Sequence, residues 1–455
     1  MARRLFGTDG VRGVAGEFLT AELTLALGRA ATTRAGADVE NDRPRVLVIR
    51  DTRASGEMLE AAVAAGVAAA GGIALLGGVL PTPAAPLLIR RYGFDLGVVL
   101  SASHNPWRDN GVKFFGADGD KLSDAVEEQI EALLEEPAAG PGGASGFAEV
   151  GSVAQLHGTL EDYLRELHVR FKDLDLHGRR ILLDCANGAT YRAAPEIFRR
   201  LGAHVDVLAE EPDGRNINDG CGSTHIEGLA DAVRAGGHDA GFAFDGDGDR
   251  VLAVDRDGVV VDGDELIALA ALHLKRDGRL PGSGVAVTVM TNYGFHTAMA
   301  AAGIEVATTA VGDRYVLEAL RERGWALGGE QSGHIIELGF APSGDGIASA
   351  LLTLEALRGG DLAERHAMEK LPQTLVNVRL PDRAAVERAA AGEEMAAAVE
   401  REQDALAGRG RVLVRASGTE PLLRVMVEAP SAEEAEEVCG RLVERAQAAA
   451  VELAP

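Results

Sequence analysis

The feature that most restricts how this chain can fold is an internal repeat that occurs three times. Each copy reads as an apolar strand, a helix, a second strand opened by glycine, a third strand, a hairpin-like piece and another helix. The first strands of the copies, RVLVIRDTR, RILLDCANG and VAVTVMTNYG, begin at Arg45, Arg180 and Val285. This order and spacing predict three similar α/β domains, each with a mixed, mostly parallel sheet covered by helices. The nearly continuous apolar runs are typical of strands buried on both faces.

A polar loop follows the third strand of every copy. The loops SASHNP, DGDGDR and GEQSGH begin at Ser101, Asp245 and Gly329. In open α/β sheets, ligands bind beyond the carboxyl ends of the strands. Because the three loops hold equivalent positions in three similar domains, we expect them to face one cleft.

The pattern changes after about residue 370 to a smaller α+β unit. Its last helix opens with Ser431 and has Glu434 three residues later, which predicts a capping box. A Pro/Gly-rich stretch at 135–146 predicts a flexible loop that closes the first domain. The predicted fold class is α/β, with three similar mixed-sheet domains and a smaller C-terminal α+β domain around a central cleft. We place the four domains at 1–155, 156–255, 256–370 and 371–455.

Composition excludes several classes of protein. A net charge of -25 argues against nucleic acid and anionic membranes as partners. The three cysteines are far apart and odd in number, which indicates a reducing compartment, and the N-terminus lacks the apolar region of a signal peptide. The uncharged stretch 61–89 is interrupted by glycine and proline, so it predicts a helix, a turn and a strand rather than a membrane span. We therefore expect a cytoplasmic protein.

The DGDGDR loop is a candidate metal site. Its aspartates alternate with glycine, so the three carboxylates can turn toward one point, and oxygen clusters of this kind suit Mg²⁺ or Ca²⁺. An EF-hand is excluded, because its sixth position would be Arg250 and its twelfth Arg256. A solvated acidic turn remains the alternative, although the third aspartate and the strand-end position favour a metal.

The SASHNP loop has three interpretations. A serine nucleophile with a histidine base is disfavoured, because adjacent Ser and His rarely face each other and no GxSxG sequence is present. A plain polar loop is the second interpretation. The third is a serine that carries a phosphoryl group close to the acidic loop, with Lys113 holding or protonating an oxygen. Spacing does not choose between Ser101 and Ser103.

Three further stretches could contact a phosphosugar, although a polar loop is the alternative for each. RASGTEP, which begins at Arg415, combines a cation, hydroxyls and a glycine, as a phosphate-binding loop does. GEQSGH offers a carboxylate, an amide and a hydroxyl, which can bind the hydroxyl groups of a sugar. FGTDGVRG places Arg12 between glycines, where it could contact a phosphate. No GxGxxG follows a strand and no GxxxxGK[ST] occurs, so dinucleotide and ATP sites have no support.

Together the motifs FGTDGVRG, SASHNP, DGDGDR, GEQSGH and RASGTEP, in this order over nearly the whole chain, resemble those of the α-D-phosphohexomutase superfamily. The resemblance implies that Ser103 is a phosphoserine and Ser101 its neighbour. It implies one Mg²⁺ per active site, held by the Ser103 phosphate with Asp245, Asp247 and Asp249. The residues expected to serve the transfer, as charge stabilisers or as acid and base, are Arg12, Lys113, Arg250 and His334, and the catalytic residue His104 is expected to sit by the phosphate. Those expected to bind sugar hydroxyls are Glu330 and Ser332, and those expected to bind the substrate's own phosphate are Arg415, Ser417, Gly418 and Thr419.

The implied reaction converts glucosamine 6-phosphate to glucosamine 1-phosphate through the phosphoserine and a bisphosphate. The implied partner is thus a small phosphosugar, with no nucleic acid and no membrane, and the protein is expected to be a monomer or homodimer. The alternatives are a sister mutase for mannose or glucose phosphates, a catalytically silent phosphosugar-binding protein and a Mg²⁺-dependent phosphatase.

Overall fold

The computed structural model describes residues 5–7, 9–38, 43–135, 150–416 and 421–452. They form two compact units. One comprises Met1–Met290 with Ile304–Arg365, and the other comprises Thr291–Gly303 with His366–Pro455. The loop expected at 135–146 lies outside the described residues from its second residue onward.

The first sheet of the larger unit has six strands. The elements of this region are β1 (Val11–Val14), α1 (Ala21–Gly36), β2 (Arg45–Arg50), α2 (Gly56–Ala69), β3 (Ile73–Val79), α3 (Ala84–Tyr92), β4 (Leu96–Leu100), β5 (Asp109–Gly116), α4 (Asp124–Glu135) and β6 (Ser152–Gln155). The strand order is β1-β5-β4-β2-β3-β6, with β5 antiparallel to both of its neighbours and the other pairs parallel. The uncharged stretch 61–89 forms parts of α2 and α3 with β3 between them, which confirms the prediction of a helix, a turn and a strand.

The second sheet has five strands. The elements of this region are α5 (Thr159–Arg170), β7 (Arg180–Asp184), α6 (Ala193–Arg200), β8 (His204–Leu208), α7 (Glu227–Gly236), β9 (Ala240–Phe244), β10 (Val251–Asp255), β11 (Val260–Val261) and α8 (Gly263–Arg276). The order is β11-β10-β9-β7-β8, with β7 parallel to β8 and β9 and the remaining pairs antiparallel.

The third sheet has four strands. The elements of this region are β12 (Gly284–Thr288), α9 (Tyr293–Ala301), β13 (Glu305–Thr309), α10 (Asp313–Arg323), β14 (Leu327–Gly329), β15 (Ile335–Glu337) and α11 (Gly346–Leu357). The order is β13-β12-β14-β15, with only the β14–β15 pair antiparallel. Each sheet therefore contains one four-strand arrangement in which the third strand lies between the first and the fourth. This shared arrangement confirms the predicted fold class of three similar mixed sheets.

The smaller unit contains a three-stranded antiparallel sheet. Its elements are β16 (Gln373–Arg379), α12 (Arg383–Ala391), α13 (Glu393–Leu406), β17 (Arg411–Ala416), β18 (Leu422–Glu428) and α14 (Ala432–Glu452), with β18 in the centre of the sheet. The Ser431 hydroxyl accepts the backbone N–H of Glu434 at 3.1 Å, as the predicted cap requires. Helix α9 also belongs to this unit, where the Glu428 carboxylate accepts the backbone N–H of Tyr293.

Buried apolar side chains from strands and helices form a core against each sheet. Within the described part of the chain, no helix has the length and apolar composition needed to cross a membrane.

Candidate active site

The two serines at the end of β4 point in different directions. Ser103 has a φ of 52°, in the left-handed region, and its Oγ donates to Asp245 Oδ2 at 2.5 Å. Ser101 Oγ donates to Asp51 Oδ2 at 2.6 Å and accepts the backbone N–H of Ser103 at 2.9 Å. The Ser103 hydroxyl thus faces the aspartate loop, whereas the Ser101 hydroxyl is part of the buried support beneath it.

The three aspartates after β9 converge as predicted. One carboxylate oxygen from each of Asp245, Asp247 and Asp249 lies within 4.8 Å of the others, and all three side chains are buried. Asp247 Oδ1 and Asp249 Oδ1 have no hydrogen-bond partner among the described residues. Buried oxygens without partners are unfavourable unless another group binds them. The cluster therefore has the acceptor chemistry and the open oxygens that suit a hard divalent cation.

A glycine lets this loop come close to Ser103. A Cβ at Gly246 would lie 2.6 Å from the backbone oxygen of Ser103 and 2.7 Å from Asn218 Nδ2. Any side chain at 246 would push the aspartate loop and the serine loop apart.

The carboxylate of Asp247 is held through only one of its two oxygens. Its Oδ2 accepts from Thr82 Oγ1 at 2.6 Å and from Lys113 Nζ at 2.8 Å, and the Thr82 N–H donates to the Asp247 carbonyl. Because both side-chain donors use Oδ2, Oδ1 is left for another ligand.

Asp9 links the cations on the other side of the cluster. Its carboxylate binds Arg12, Lys113 at 3.0 Å and Lys121 at 2.5 Å, and Lys121 also binds Asp313 at 2.6 Å. Strand register places these groups, since Arg12 of β1 pairs with Gly111 of β5, two residues before Lys113. The order of strands β1, β5 and β4 thus brings two predicted cations beside the serine loop.

Burial and neighbouring charges shift the pKa of several of these groups. Burial, reinforced by Asp249 and Asp247, raises the pKa of Asp245 well above its usual value. Burial would lower the pKa of Lys113, but the carboxylates of Asp247 and Asp9 hold it above its ordinary value. The ammonium of Lys113 consequently remains charged beside the aspartates.

The two predicted histidines are shifted in opposite directions. Burial and the nearby Arg250 lower the pKa of His104, whose Nδ1 lies 3.3 Å from Ser103 Oγ. Burial would also lower the pKa of His334, but Asp249 and Asp313 raise it; its Nδ1 lies 3.7 Å from Asp249 Oδ2. The backbone N–H of Arg250 donates to Asp245 Oδ1 at 3.2 Å, so Arg250 adjoins the same cluster.

The GEQSGH loop supplies one oriented carboxylate. Glu330 Oε1 accepts the backbone N–H of Gly312 at 3.0 Å, and its charge interacts with Arg250. Ser332 is exposed, so its hydroxyl is accessible to a ligand.

The predicted phosphate-binding loop belongs to the smaller unit and is described only in part. Arg415 lies in β17, opposite Arg424 of β18, and burial together with that second guanidinium lowers its pKa. The other residues predicted there, Ser417, Gly418 and Thr419, lie outside the described residues.

Several residues of the cluster were missed by the sequence analysis. Asp9 lies inside the FGTDGVRG motif, but only Arg12 was selected from it. Thr82 follows β3, and Asp51 follows β2, so both obey the strand-end rule that identified the serine and aspartate loops. Asp313 likewise follows β13, whereas Lys121 had no comparable signal, and its partner Asp313 lies 192 residues away in the sequence.

The chain is similar in sequence to known proteins over nearly its whole length. Family models for phosphoglucomutase/phosphomannomutase match it at 3–140 (alpha/beta/alpha domain I), 161–258 (domain II), 262–375 (domain III) and 375–445 (C-terminal domain). It is 52% identical to a phosphoglucosamine mutase of Moorella thermoacetica, with 96% of this chain and 98% of that protein covered. It is 48% identical to a phosphoglucosamine mutase of Mycobacterium marinum, with 98% and 99% covered.

The fold is also found among solved structures. A phosphoglucomutase/phosphomannomutase family protein of Burkholderia thailandensis superposes with a TM-score of 0.77 at 24% identity, over 97% of each chain.

Proposed function

Because the chain belongs to the phosphoglucomutase/phosphomannomutase family, within the α-D-phosphohexomutase superfamily, we propose that it catalyses the phosphoglucosamine mutase reaction. The enzyme is an isomerase that interconverts glucosamine 6-phosphate and glucosamine 1-phosphate. The observation that carries this proposal is the position of Ser103, whose hydroxyl lies 2.5 Å from a carboxylate of the buried aspartate cluster.

Ser103 acts as the phosphoryl carrier. In the first transfer, the bond between phosphorus and Ser103 Oγ breaks while a bond forms to the free sugar hydroxyl. The hydroxyl gives up its proton, and Ser103 Oγ receives one. The resulting bisphosphate reverses its orientation in the site and returns its other phosphate to Ser103, so the net reaction is an isomerisation.

The aspartate cluster fits the cation that the family resemblance implies. Asp245, Asp247 and Asp249, together with the phosphate on Ser103, would hold one Mg²⁺, which when bound would offset the negative charge of the transferring phosphoryl group. The open, buried oxygens Asp247 Oδ1 and Asp249 Oδ1 support this assignment.

The side chains around the cluster hold and neutralise the phosphoryl group. Arg12, Lys113 and Arg250 supply positive charge. In a phosphoryl transfer, such charge offsets the negative charge on the equatorial oxygens of the phosphoryl group and on the leaving oxygen. His104 and His334 are the candidates for moving the proton of the sugar hydroxyl, since they are the imidazoles at the cluster.

The remaining predicted residues bind the substrate away from the reacting atoms. Glu330 and Ser332 bind sugar hydroxyls, and the loop that begins at Arg415 binds the non-reacting phosphate, with Ser417, Gly418 and Thr419. The phosphosugar is the partner of the site, and we further propose that the enzyme works in the cytoplasm as a monomer or homodimer.

The test is a coupled assay of glucosamine 6-phosphate isomerisation, run beside mannose and glucose phosphates, with mass analysis of the peptide that contains both serines. We expect phosphate on Ser103, turnover highest for glucosamine phosphate, and no turnover by Ser103→Ala, because the phosphoryl carrier is gone.

Ser101→Ala is the matched control, since it removes a hydroxyl two residues away that is bound to Asp51. It should keep phosphate on the enzyme. An inactive Ser101→Ala beside an active Ser103→Ala would exchange the two roles. Release of inorganic phosphate without an isomer would favour the phosphatase alternative, and preference for mannose or glucose phosphate would favour the sister mutases.

A further inference from the structure

We propose that Arg53 is a positioning residue for the phosphoryl transfer, because the loop that carries Ser103 is folded around its guanidinium. This inference rests on the proposed function of Ser103 and adds to it a residue that never touches the substrate. Arg53 is only 1% exposed, and its side chain ends inside the loop rather than in the site.

Every N–H of the Arg53 guanidinium has an acceptor. A guanidinium has five N–H donors in a fixed plane. The acceptors are Asp51 Oδ2 for Nε, the carbonyl oxygens of Pro106 and Asp109 for Nη1, and the carbonyl oxygens of Ser103 and Asn105 for Nη2. Four of the five acceptors are therefore backbone carbonyls of one loop, from residue 103 to residue 109.

This arrangement determines where the Ser103 hydroxyl points. With its carbonyl turned inward to Arg53 at 2.8 Å, Ser103 adopts a φ of 52°, and its side chain faces outward to Asp245. A left-handed conformation is unfavourable for a residue with a Cβ and persists only when surrounding contacts enforce it. Arg53 supplies those contacts.

Three further side chains support Arg53 or the turn around it. Asp51, which binds Arg53, also accepts the Ser101 hydroxyl, and Ser101 in turn accepts the N–H of Ser103. On the other side, Asn218 Nδ2 donates to the carbonyl of Ser103 at 3.0 Å and to that of Asn105 at 3.2 Å. The loop is thus fixed from within by Arg53 and from outside by Asn218, which lies between β8 and α7.

A lysine cannot replace Arg53. Its ammonium has three donors and no planar fork, so it could keep the ion pair with Asp51 but not all four carbonyl contacts. In Arg53→Lys, Ser103 would lose its fixed orientation while the groups that bind the sugar and its second phosphate remain. Misplacement by about 1 Å can cost roughly 10²-fold in rate.

The experiment compares Arg53→Lys with the control Arg170→Lys. Arg170 is a partly buried arginine whose guanidinium binds Glu337 and Glu355, so this control also replaces a paired guanidinium with an ammonium. The readouts are kcat and KM for glucosamine 6-phosphate, the extent of Ser103 phosphorylation, and the ³¹P resonance of the phosphoserine. For Arg53→Lys we expect kcat to fall by about 10²-fold, KM to change by less than about threefold, and the ³¹P resonance to shift or broaden. Arg170→Lys should retain the wild-type kcat and resonance.

A second variant keeps the test decisive if Arg53→Lys does not fold. Asn218→Gly removes the amide donors and tolerates the φ of 58° at that position, so it disturbs the loop without straining the backbone. It should lower kcat by about 10-fold with KM unchanged.

Wild-type kcat and an unchanged ³¹P resonance in a folded Arg53→Lys, or in Asn218→Gly where Arg53→Lys is unfolded, would overturn the proposal. A rise in KM with kcat preserved would also overturn it, since that would indicate a role in binding. Full activity of Ser103→Ala would instead overturn the proposed function, so the two failures are distinguishable.

Discussion

At the scale of single residues, the aspartate cluster depends on side chains that orient it from outside. Thr82 and Lys113 share one oxygen of Asp247 and leave the other oxygen open. Groups that orient a metal ligand in this way commonly contribute 10- to 100-fold to metal affinity. Thr82 is therefore the residue whose loss should weaken the proposed Mg²⁺ site without removing one of its aspartates.

We predict that Thr82→Val raises the Mg²⁺ concentration needed for half-maximal activity by about 10-fold, because Asp247 then keeps only its lysine partner. The valine preserves shape and burial, so the fold should persist. Calorimetric titration of the purified protein with Mg²⁺ measures the same change in affinity without relying on turnover.

Thr32→Val is the matched control, since Thr32 is a fully buried threonine whose hydroxyl binds a helix carbonyl in α1. It should leave the Mg²⁺ dependence as in the wild type. Asp247→Ala removes an aspartate of the proposed site itself, so its effect should be larger, with activity reduced by about 10²-fold or more. Wild-type activity of Asp247→Ala in the presence of a chelator would contradict the metal assignment.

At the scale of elements, helix α11 begins beside the aspartate loop, where the Gly346 N–H donates to the Gly248 carbonyl, and a buried acid is its cap. The Asp345 carboxylate accepts the N–H of Ala348 at 2.9 Å and the Tyr163 hydroxyl at 2.9 Å. Burial raises the pKa of Asp345 to about 6, even though these hydrogen bonds favour the charged form. The folded protein therefore holds this carboxyl group less readily in its charged form than the unfolded chain does.

The sign of the pH dependence follows from linkage. A folded-state pKa above the unfolded value adds stability that is fully present below about pH 4 and is lost as the pH rises through about 6. For a shift from 3.8 to about 6, the free energy of unfolding changes on the order of 3 kcal/mol. Asparagine caps helices about as well as aspartate and has no such titration.

We predict that Asp345→Asn raises the thermal midpoint relative to the wild type more at pH 7 than at pH 4.5. The measurement is the difference in midpoint between variant and wild type across that range. Asp382→Asn, an aspartate cap of α12 in the smaller unit, is the control. A difference that does not vary with pH would contradict the raised pKa.

The comparison of sequence with structure is also clearest for elements. The repeat predicted the strands, and strand ends predicted the serine and aspartate loops, because parallel strands expose their carboxyl ends at one edge. Asp9 and Lys121 could not be found in this way, since neither follows a parallel strand, and the pairing of Lys121 with Asp313 joins segments of different domains. The choice between Ser101 and Ser103 was also beyond sequence spacing, because it depends on the turn that Arg53 and Asp51 impose.

At the scale of the whole molecule, the substrate must be held while its two ends exchange places. The resemblance assigns the non-reacting phosphate to the loop that begins at Arg415, which is in the smaller unit, whereas Ser103 and the aspartates are in the larger one. A guanidinium binds phosphate in the same way whichever sugar carbon carries it. The two orientations of the substrate should therefore use one phosphate site.

We predict that Arg415→Ala raises KM for glucosamine 6-phosphate and for glucosamine 1-phosphate alike, by about 10-fold or more, and lowers kcat as well, because remote binding energy aligns the reacting hydroxyl. Initial rates in both directions measure this effect. Phosphorylation of Ser103 and Mg²⁺ affinity should be unchanged, since both depend on the larger unit.

Arg379→Ala serves as the control, since Arg379 is an exposed arginine of β16 in the same sheet. It should leave KM unchanged in both directions. A defect of Arg415→Ala confined to one direction would show that the two orientations use different phosphate sites.

The turn around Arg53 has a consequence for the order in which the protein is made. Arg53 leaves the ribosome 50 residues before Ser103, so the nascent chain already contains the template for the serine loop when that loop emerges. Asp245 follows Ser103 by 142 residues, which at ordinary rates of translation is a delay of roughly 7 to 30 s. During most of that interval the serine loop also lacks Asn218, which follows Ser103 by 115 residues. Vectorial synthesis thus delivers the contacts of Ser103 in two stages, first the Arg53 contact from its own domain and then the Asn218 and Asp245 contacts from the second domain.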